Sequence, residues 1–166
     1  MPCLRSGSRI KMADDNADIS VEITCDIADL KVDAERLKAL ARSVCRQFGL
    51  KNAQVGIAVV GDDTIRKVNE RFLNKLQKTD VISFDLSDVA DPSRCLELVV
   101  NADEAARQSK AQKHPLQAEL ALYITHGLLH NLGFDDATAE AGAEMHRTED
   151  EILQEAGFGK VFDKQS

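Results

Sequence analysis

The chain's 166 residues fit one domain of ordinary size rather than two, and a hydrophobic content of 43% is enough for a core. Aromatic residues make up only 4%, so the core must be aliphatic, and the composition excludes collagen-like, coiled-coil-only and wholly disordered proteins. The net charge of −7 argues against a protein that coats nucleic acids, and no apolar run approaches the ~20 residues of a transmembrane helix.

The N-terminal half predicts a tail followed by alternating strands and helices. Residues 1–18 show no apolar periodicity and are expected to be disordered. Apolar and polar residues then alternate over 19–23, as in a half-buried strand, and Asp33 is placed to cap a helix that ends near Gly49. A second strand is predicted over 55–60. The helix after it has three apolar residues on one face: Ile65, Val68 and Phe72.

The C-terminal half adds two strands and three helices. The strands are predicted over 81–84 and 96–100, and the helices over about 102–113, 115–132 and 137–156. Pro115 suits the first turn of the middle helix. Together these elements predict one α+β domain over residues 19–160, with a mixed sheet of about four strands and about five helices.

Charge is spread unevenly along the chain. Residues 133–156 carry eight acidic side chains against one arginine, which accounts for the whole net charge of −7. Residues 62–78 are net basic, and they supply three candidate contacts for an anionic ligand: Arg71, Lys75 and Lys78. Solvated helix faces have the same composition, so charge alone does not distinguish a binding surface from an ordinary one.

The strongest site-like pattern lies at the end of the predicted helix over 115–132. His126 and His130 are four residues apart, so both imidazoles project from one face and can share a metal ion. Gly133 then ends the helix and allows a turn that brings Asp136 back toward the same point. Two imidazoles and a carboxylate leave a fourth position for water, as in catalytic zinc sites. We therefore predict a metal site at the end of this long central helix.

Other interpretations of these residues stay open. Two histidines at this spacing are often ordinary surface or half-buried residues. Asp135 and Asp136 are also placed to cap the following helix. His114 and His146 are alternative candidates for the third ligand.

The pattern does not define a catalytic side chain. Position 127 is glycine, so the glutamate that is the general base of H-E-x-x-H metalloproteases is absent. A metallopeptidase is therefore kept only as a weaker alternative function. Glu119 shares the helix face of His126, where it would either orient an imidazole or be a helix-surface acid. A water activated by the metal ion is the expected nucleophile.

Further motifs accompany the histidine pair. Residues 79–84 read T-D-V-I-S-F, Asn69 lies ten residues before them, and the closing helix contains Met145 and Glu149. Residues 126–136 themselves read H-G-L-L-H-N-L-G-F-D-D. In this order the motifs resemble the YbeY family, whose signature is H-G-x-L-H-L-x-G-Y-D-H and whose other motif is T-D-V-L-S-F. The similarity covers about residues 19–157.

The resemblance implies a metal-dependent hydrolase, a single-strand-specific endoribonuclease of ribosomal RNA maturation and ribosome quality control. Its expected partner is RNA, above all small-subunit ribosomal RNA or the ribosome, in the cytoplasm or in an organelle. It also implies a zinc ion held by three signature histidines, the third of which is Asp136 here. A carboxylate is an acceptable zinc ligand, although its charge makes harder ions such as Mn²⁺ more competitive.

A second departure from the family concerns the substrate. Counted from Asn69, the family's Tyr-Arg pair falls on Phe72 and Leu73, so the arginine expected to face RNA is a leucine. Arg71 and Lys75 are candidates to replace it. Together the two departures define an alternative function, a non-catalytic ribosome-assembly binding protein whose metal is structural or absent.

Overall fold

The computed structural model of the chain describes residues 18–73 and 79–159. In chain order its elements are β1 (Asp18–Cys25), α1 (Ala34–Gln47), β2 (Asn52–Val60), α2 (Asp62–Leu73), β3 (Val81–Asp85), β4 (Arg94–Asn101), α3 (Ala102–Gln112), α4 (Leu116–Asn131) and α5 (Ala139–Glu155). Over the described residues this is an α+β domain with five helices and a four-stranded mixed sheet, as predicted. Asp18 already belongs to β1, and the rest of the predicted tail lies outside the described residues. None of these helices is long and apolar enough to cross a membrane.

The sheet has the strand order β1-β2-β4-β3. β1, β2 and β4 are parallel, and β3 runs antiparallel to β4 at the edge. Because alternate residues of a strand point to opposite faces, the apolar residues of β2 and β4 form one continuous buried face. Its members are Val55, Ile57, Val59, Leu96, Leu98 and Val100.

α4 is the central helix and packs against β3, β4, α1, α3 and α5. It is apolar on nearly all sides, which is typical of a helix that is buried on all sides. Gly127 allows its close approach to the sheet, because a Cβ atom there would lie 2.9 Å from Leu98 Cδ2 and 3.1 Å from Val81 Cγ2. Glycine at the position of the protease glutamate therefore has a packing explanation.

The opposite face of the sheet carries a smaller core beside α2. Val60, Ile65 and Ile82 are buried there. Phe72 departs from the predicted apolar face of α2, because it is 62% exposed and meets Phe84 edge-on with ring centroids 5.8 Å apart. The reason is its position in the last turn, beside the edge strand β3, beyond which no further strand of the described sheet covers the ring.

The predicted N-terminal cap of α1 is present in the structure, whereas the predicted cap of α5 is not. Asp33 caps α1 by accepting a hydrogen bond from a first-turn backbone N–H, and Gly49 follows the helix with φ of +86°. α5 is instead capped by the Thr138 hydroxyl. The alternative in which Asp135 and Asp136 cap α5 is therefore wrong, because the first helical turn begins after Thr138.

Candidate metal centre

The last two turns of α4 place His126 and His130 on one side of the helix. Their Nε2 atoms are 3.1 Å apart, and their rings are nearly perpendicular. Gly133 follows the helix with φ of +106°, a left-handed conformation that favours glycine. The chain then returns so that Oδ2 of Asp136 lies 3.9 Å from each Nε2. The structure thus brings the three candidate ligands together.

The three ligand atoms fit a divalent ion in both spacing and chemistry. All three lie within 4.8 Å of one another. A point equidistant from atoms that are 3.1, 3.9 and 3.9 Å apart lies about 2.1 Å from each, which matches the 2.0–2.2 Å bonds of zinc to imidazole nitrogen and carboxylate oxygen. The three side chains are 22–47% exposed, so the cluster can be reached from solvent.

The other candidates for the third ligand lie outside this cluster. Asp135 is exposed, and its Oδ1 accepts a hydrogen bond from a backbone N–H in the turn before α5. His114 is paired with a buried carboxylate of α4. In the part of the chain that the structure describes, the ligand-type side chains that can share one ion include neither of these residues nor His146.

Behind the cluster, α5 supplies a buried carboxylate that the sequence analysis did not assign to the site. The Glu149 side chain is 1% exposed, and its Oε2 lies 2.5 Å from Nδ1 of His126. Burial disfavours the imidazolium, but the hydrogen bond and charge of Glu149 outweigh burial and raise the pKa of His126. The sequence does contain a signal for this residue, because Glu149 is an acid on the apolar face of a helix, in register with Met145, Ile152 and Leu153.

Glu119 belongs to a separate buried pair. It is only 4% exposed, so its interpretation as a helix-surface acid is wrong, because α4 is buried on nearly all sides. Its Oε2 lies 2.5 Å from Nε2 of His114, and Tyr123 donates a hydrogen bond to its carboxylate. Burial and this carboxylate raise the pKa of Tyr123 well above its ordinary value. The imidazole that Glu119 contacts therefore lies outside the cluster of His126, His130 and Asp136.

The described residues include one of the three basic side chains predicted to contact an anionic ligand. Arg71 is exposed near the end of α2, with its guanidinium carbon 5.7 Å from the centroid of the Phe72 ring. Leu73, at the position of the family arginine, is 43% exposed. Lys75 and Lys78 lie outside the described residues. Of the three predicted phosphate contacts, the structure thus describes Arg71, which lies beside an exposed aromatic ring.

Comparisons with known proteins agree on one family. Residues 22–157 match the family model described as Endoribonuclease YbeY. The protein named Endoribonuclease YbeY of an Anaeromyxobacter species is 35% identical over 126 residues, which are 75% of this chain. The chain spans 66% of that relative's length. The protein of the same name from a Nocardioides species is 35% identical over 131 residues, covering 74% of this chain and 88% of the relative.

A solved structure resembles the fold. The solution structure of TM1509 from Thermotoga maritima covers 83% of this chain and 91% of its own, with a TM-score of 0.53 and 19% identity. This likeness supports the α+β architecture alone. The family model spans most of the chain and confirms the resemblance that the motifs indicate. The chain belongs to the endoribonuclease YbeY family, a family of hydrolases.

Proposed function

We propose that this protein is a metal-dependent endoribonuclease that cuts single-stranded RNA in ribosomal RNA maturation and ribosome quality control. The relatives' name, endoribonuclease, supports the reaction. Small-subunit ribosomal RNA or the ribosome is the proposed partner. The proposed location is the cytoplasm, or an organelle with its own ribosomes, where that partner is found.

The cluster of His126, His130 and Asp136 is the observation that carries this proposal. Zinc is the proposed ion, and the carboxylate ligand leaves Mn²⁺ competitive. When bound, a divalent ion supplies Lewis acidity to a phosphodiester and lowers the pKa of a coordinated water. The partial exposure of the cluster gives a phosphodiester access to it.

The chain's own side chains bind and position the reactants. The two histidines present Nε2 and Asp136 presents Oδ2, the atoms that face one another in the cluster. Arg71, with Lys75 and Lys78, is proposed to bind the RNA backbone through its phosphates. Because position 127 faces the sheet, the protease general base has no counterpart there, which favours phosphodiester over peptide hydrolysis.

The proposed preference for single strands is supported by Phe72. Phe72 is 62% exposed, and the guanidinium carbon of Arg71 lies 5.7 Å from the centroid of its ring. Unpaired bases stack on exposed aromatic rings and arginine side chains, whereas the bases of a duplex are already stacked and paired. We therefore assign Phe72 and Arg71 to the contact with an unpaired nucleotide.

Cleavage of single-stranded RNA by the purified full chain tests the proposal. We expect cleavage with added Zn²⁺ or Mn²⁺, loss of cleavage on chelation, and cleavage at background level in His130→Ala. His146→Ala is the matched control, because this histidine lies outside the cluster, and it should cleave RNA as the wild type does. Absence of cleavage by the folded, metal-loaded wild type would contradict the proposal, as would cleavage that survives both chelation and His130→Ala.

A non-catalytic ribosome-assembly binding protein is the second candidate. Two observations favour it: Leu73 stands where the family arginine is expected, and the third ligand is a carboxylate. This function predicts that the metal-free protein binds ribosomal particles as tightly as the loaded protein and that neither form cuts RNA.

A further inference from the structure

Among the residues that the structure describes, two buried glutamates each pair with a histidine at the same distance, and one of these histidines belongs to the metal cluster. Glu119 and Glu149 each bring a carboxylate oxygen to 2.5 Å from an imidazole nitrogen, and their side chains are 5% and 1% exposed. Glu119 meets His114, outside the cluster, whereas Glu149 meets the candidate ligand His126. We propose that Glu149 is a positioning residue that fixes the orientation and tautomer of His126 for metal binding. This inference rests on the proposed function.

Glu149 contacts Nδ1 of His126, and this contact determines which nitrogen is free to bind a metal ion. Either nitrogen of an imidazole can bind a metal ion, and the partner of one nitrogen determines which nitrogen binds. A carboxylate oxygen accepts hydrogen bonds, so the Nδ1–H of His126 is the donor to Glu149. Nε2 is thereby left with its lone pair toward the cluster, 3.1 Å from Nε2 of His130 and 3.9 Å from Oδ2 of Asp136.

The surroundings of Glu149 support the same conclusion. The neighbouring residues on this face of α5, Met145, Ile152 and Leu153, are buried and apolar. A carboxylate removed from water is destabilising unless it is paired, so packing alone favours an apolar residue at this position. An apolar residue would, however, leave Nδ1 of His126 without its acceptor. The contact with His126 is therefore what distinguishes glutamate from its apolar alternatives at position 149.

The zinc affinity of folded variants, measured by competition with a chromophoric chelator, tests this inference. Glu149→Ala removes the acceptor and is expected to weaken zinc binding about 10- to 100-fold, the effect typical of losing such an outer partner. Glu149→Gln keeps an oxygen acceptor without the charge and should lose less affinity than Glu149→Ala. Glu119→Gln is the matched control and should bind zinc as the wild type does. Circular dichroism establishes folding, and Glu149→Met fills the space if the alanine variant does not fold.

The nitrogen that coordinates zinc gives a second readout, which a loss of packing alone does not change. Two-bond proton–nitrogen correlation spectra of the zinc-loaded protein distinguish Nε2 from Nδ1 coordination. We expect His126 to coordinate through Nε2 in the wild type and in Glu149→Gln. Without an acceptor for Nδ1, the alanine and methionine variants should show a mixture of both modes.

The outcomes separate this inference from the proposed function. Equal zinc affinity and equal coordination in the wild type and Glu149→Ala would overturn the inference and leave the metal centre intact. A loss of zinc affinity in Glu119→Gln as large as that in Glu149→Ala would also overturn the inference, because the effect would then be general destabilisation. Absence of zinc binding by the folded wild type would overturn the proposed function and the inference with it.

Discussion

Asp136 sets the candidate metal centre apart from the three-histidine site that the family signature implies. Its Oδ2 lies 3.9 Å from the Nε2 atoms of both His126 and His130. A carboxylate would bring a negative charge to a site whose other candidate ligands are imidazoles, and carboxylate oxygen suits harder ions such as Mn²⁺. The identity of residue 136 is therefore expected to control which ion the protein prefers.

Asp136→His should shift metal preference toward zinc. Because imidazole suits zinc better than it suits manganese, we expect the zinc-to-manganese affinity ratio to rise on the order of tenfold. Elemental mass spectrometry after equilibration with both ions measures this ratio. Asp135→His is the control, since Asp135 lies outside the cluster and its substitution should leave the ratio unchanged. An unchanged ratio in Asp136→His would argue against Asp136 as a ligand.

Cys45 illustrates how burial suppresses the reactivity of a single residue. Burial raises the pKa of its thiol to about 11, and the positive charge of Arg94 opposes this only in part. Since the thiolate is the nucleophile, iodoacetamide at pH 8 should modify the exposed Cys25 and spare Cys45 in the native protein. Peptide mapping by mass spectrometry measures both sites, and urea should make Cys45 reactive. Equal modification of both thiols without urea would contradict the burial of Cys45.

At the scale of elements, α4 combines sheet packing with ligand placement. Gly127 lies against Leu98 and Val81, and the adjacent residue in the chain is His126. A change that moves α4 away from the sheet therefore also moves a candidate ligand. This coupling predicts that stability and metal binding respond together to substitutions on the sheet-facing side of α4.

Gly127→Ala tests that coupling. Its new methyl group would lie 2.9 Å from Leu98 Cδ2, so we expect the free energy of unfolding to fall by about 1–3 kcal/mol and zinc affinity to fall with it. Gly142→Ala in α5 is the control. A Cβ atom there would lie 3.7 Å from Cβ of Asp136, an ordinary van der Waals contact, and alanine's helix propensity predicts a gain of up to about 1 kcal/mol in the free energy of unfolding. Because Asp136 is a candidate ligand, this variant is a control for stability and not for zinc affinity. Urea unfolding measures the free energy of unfolding of both variants. Equal values for the two would contradict the packing argument.

Elements with local signals could be predicted from the sequence. Asp33 and Gly49 mark the two ends of α1, and both occupy the expected positions in the structure. The spacing of His126 and His130 likewise determines that their side chains share a helix face, since helical geometry requires no knowledge of the rest of the fold. Gly133 is a comparable signal, because its left-handed conformation ends the helix.

Features that depend on distant segments could not be predicted. The exposure of Phe72 follows from β3 being an edge strand, which the local pattern of α2 does not encode. Glu149 reaches His126 across 23 residues, and its role becomes visible only when α5 is packed against α4. Glu119 is similar, because the partner of a buried carboxylate depends on how the neighbouring segments pack.

At the scale of the whole molecule, acidic and basic side chains are concentrated in different segments of the sequence, since α5 is strongly acidic and residues 62–78 are net basic. The acids of α5 include four exposed glutamates: Glu140, Glu144, Glu151 and Glu155. An RNA backbone is repelled by such carboxylates and attracted by cations. The proposed RNA contact is therefore expected on the surface around Arg71 and not along the exposed side of α5.

Salt dependence of RNA binding tests this division. Each phosphate contact contributes about 0.7 to the slope of log affinity against log salt for single strands, so replacing Arg71, Lys75 and Lys78 by Gln should reduce the slope by about 2. Three exposed lysines elsewhere provide a control set for the same change: Lys31, Lys51 and Lys110. Fluorescence anisotropy with labelled single-stranded RNA measures both variants. Equal slopes in the two variants would locate the RNA contact elsewhere.

The metal content of the purified protein tests the central claim most directly. Elemental analysis would compare the wild type, prepared without a metal-binding tag, with His126→Ala and Asp136→Ala. Because a site with three protein ligands holds a divalent ion, we predict about one ion per chain in the wild type and loss of the ion from both variants. A folded wild type that takes up no metal under supplementation would contradict this account, as would retention of the metal by both variants.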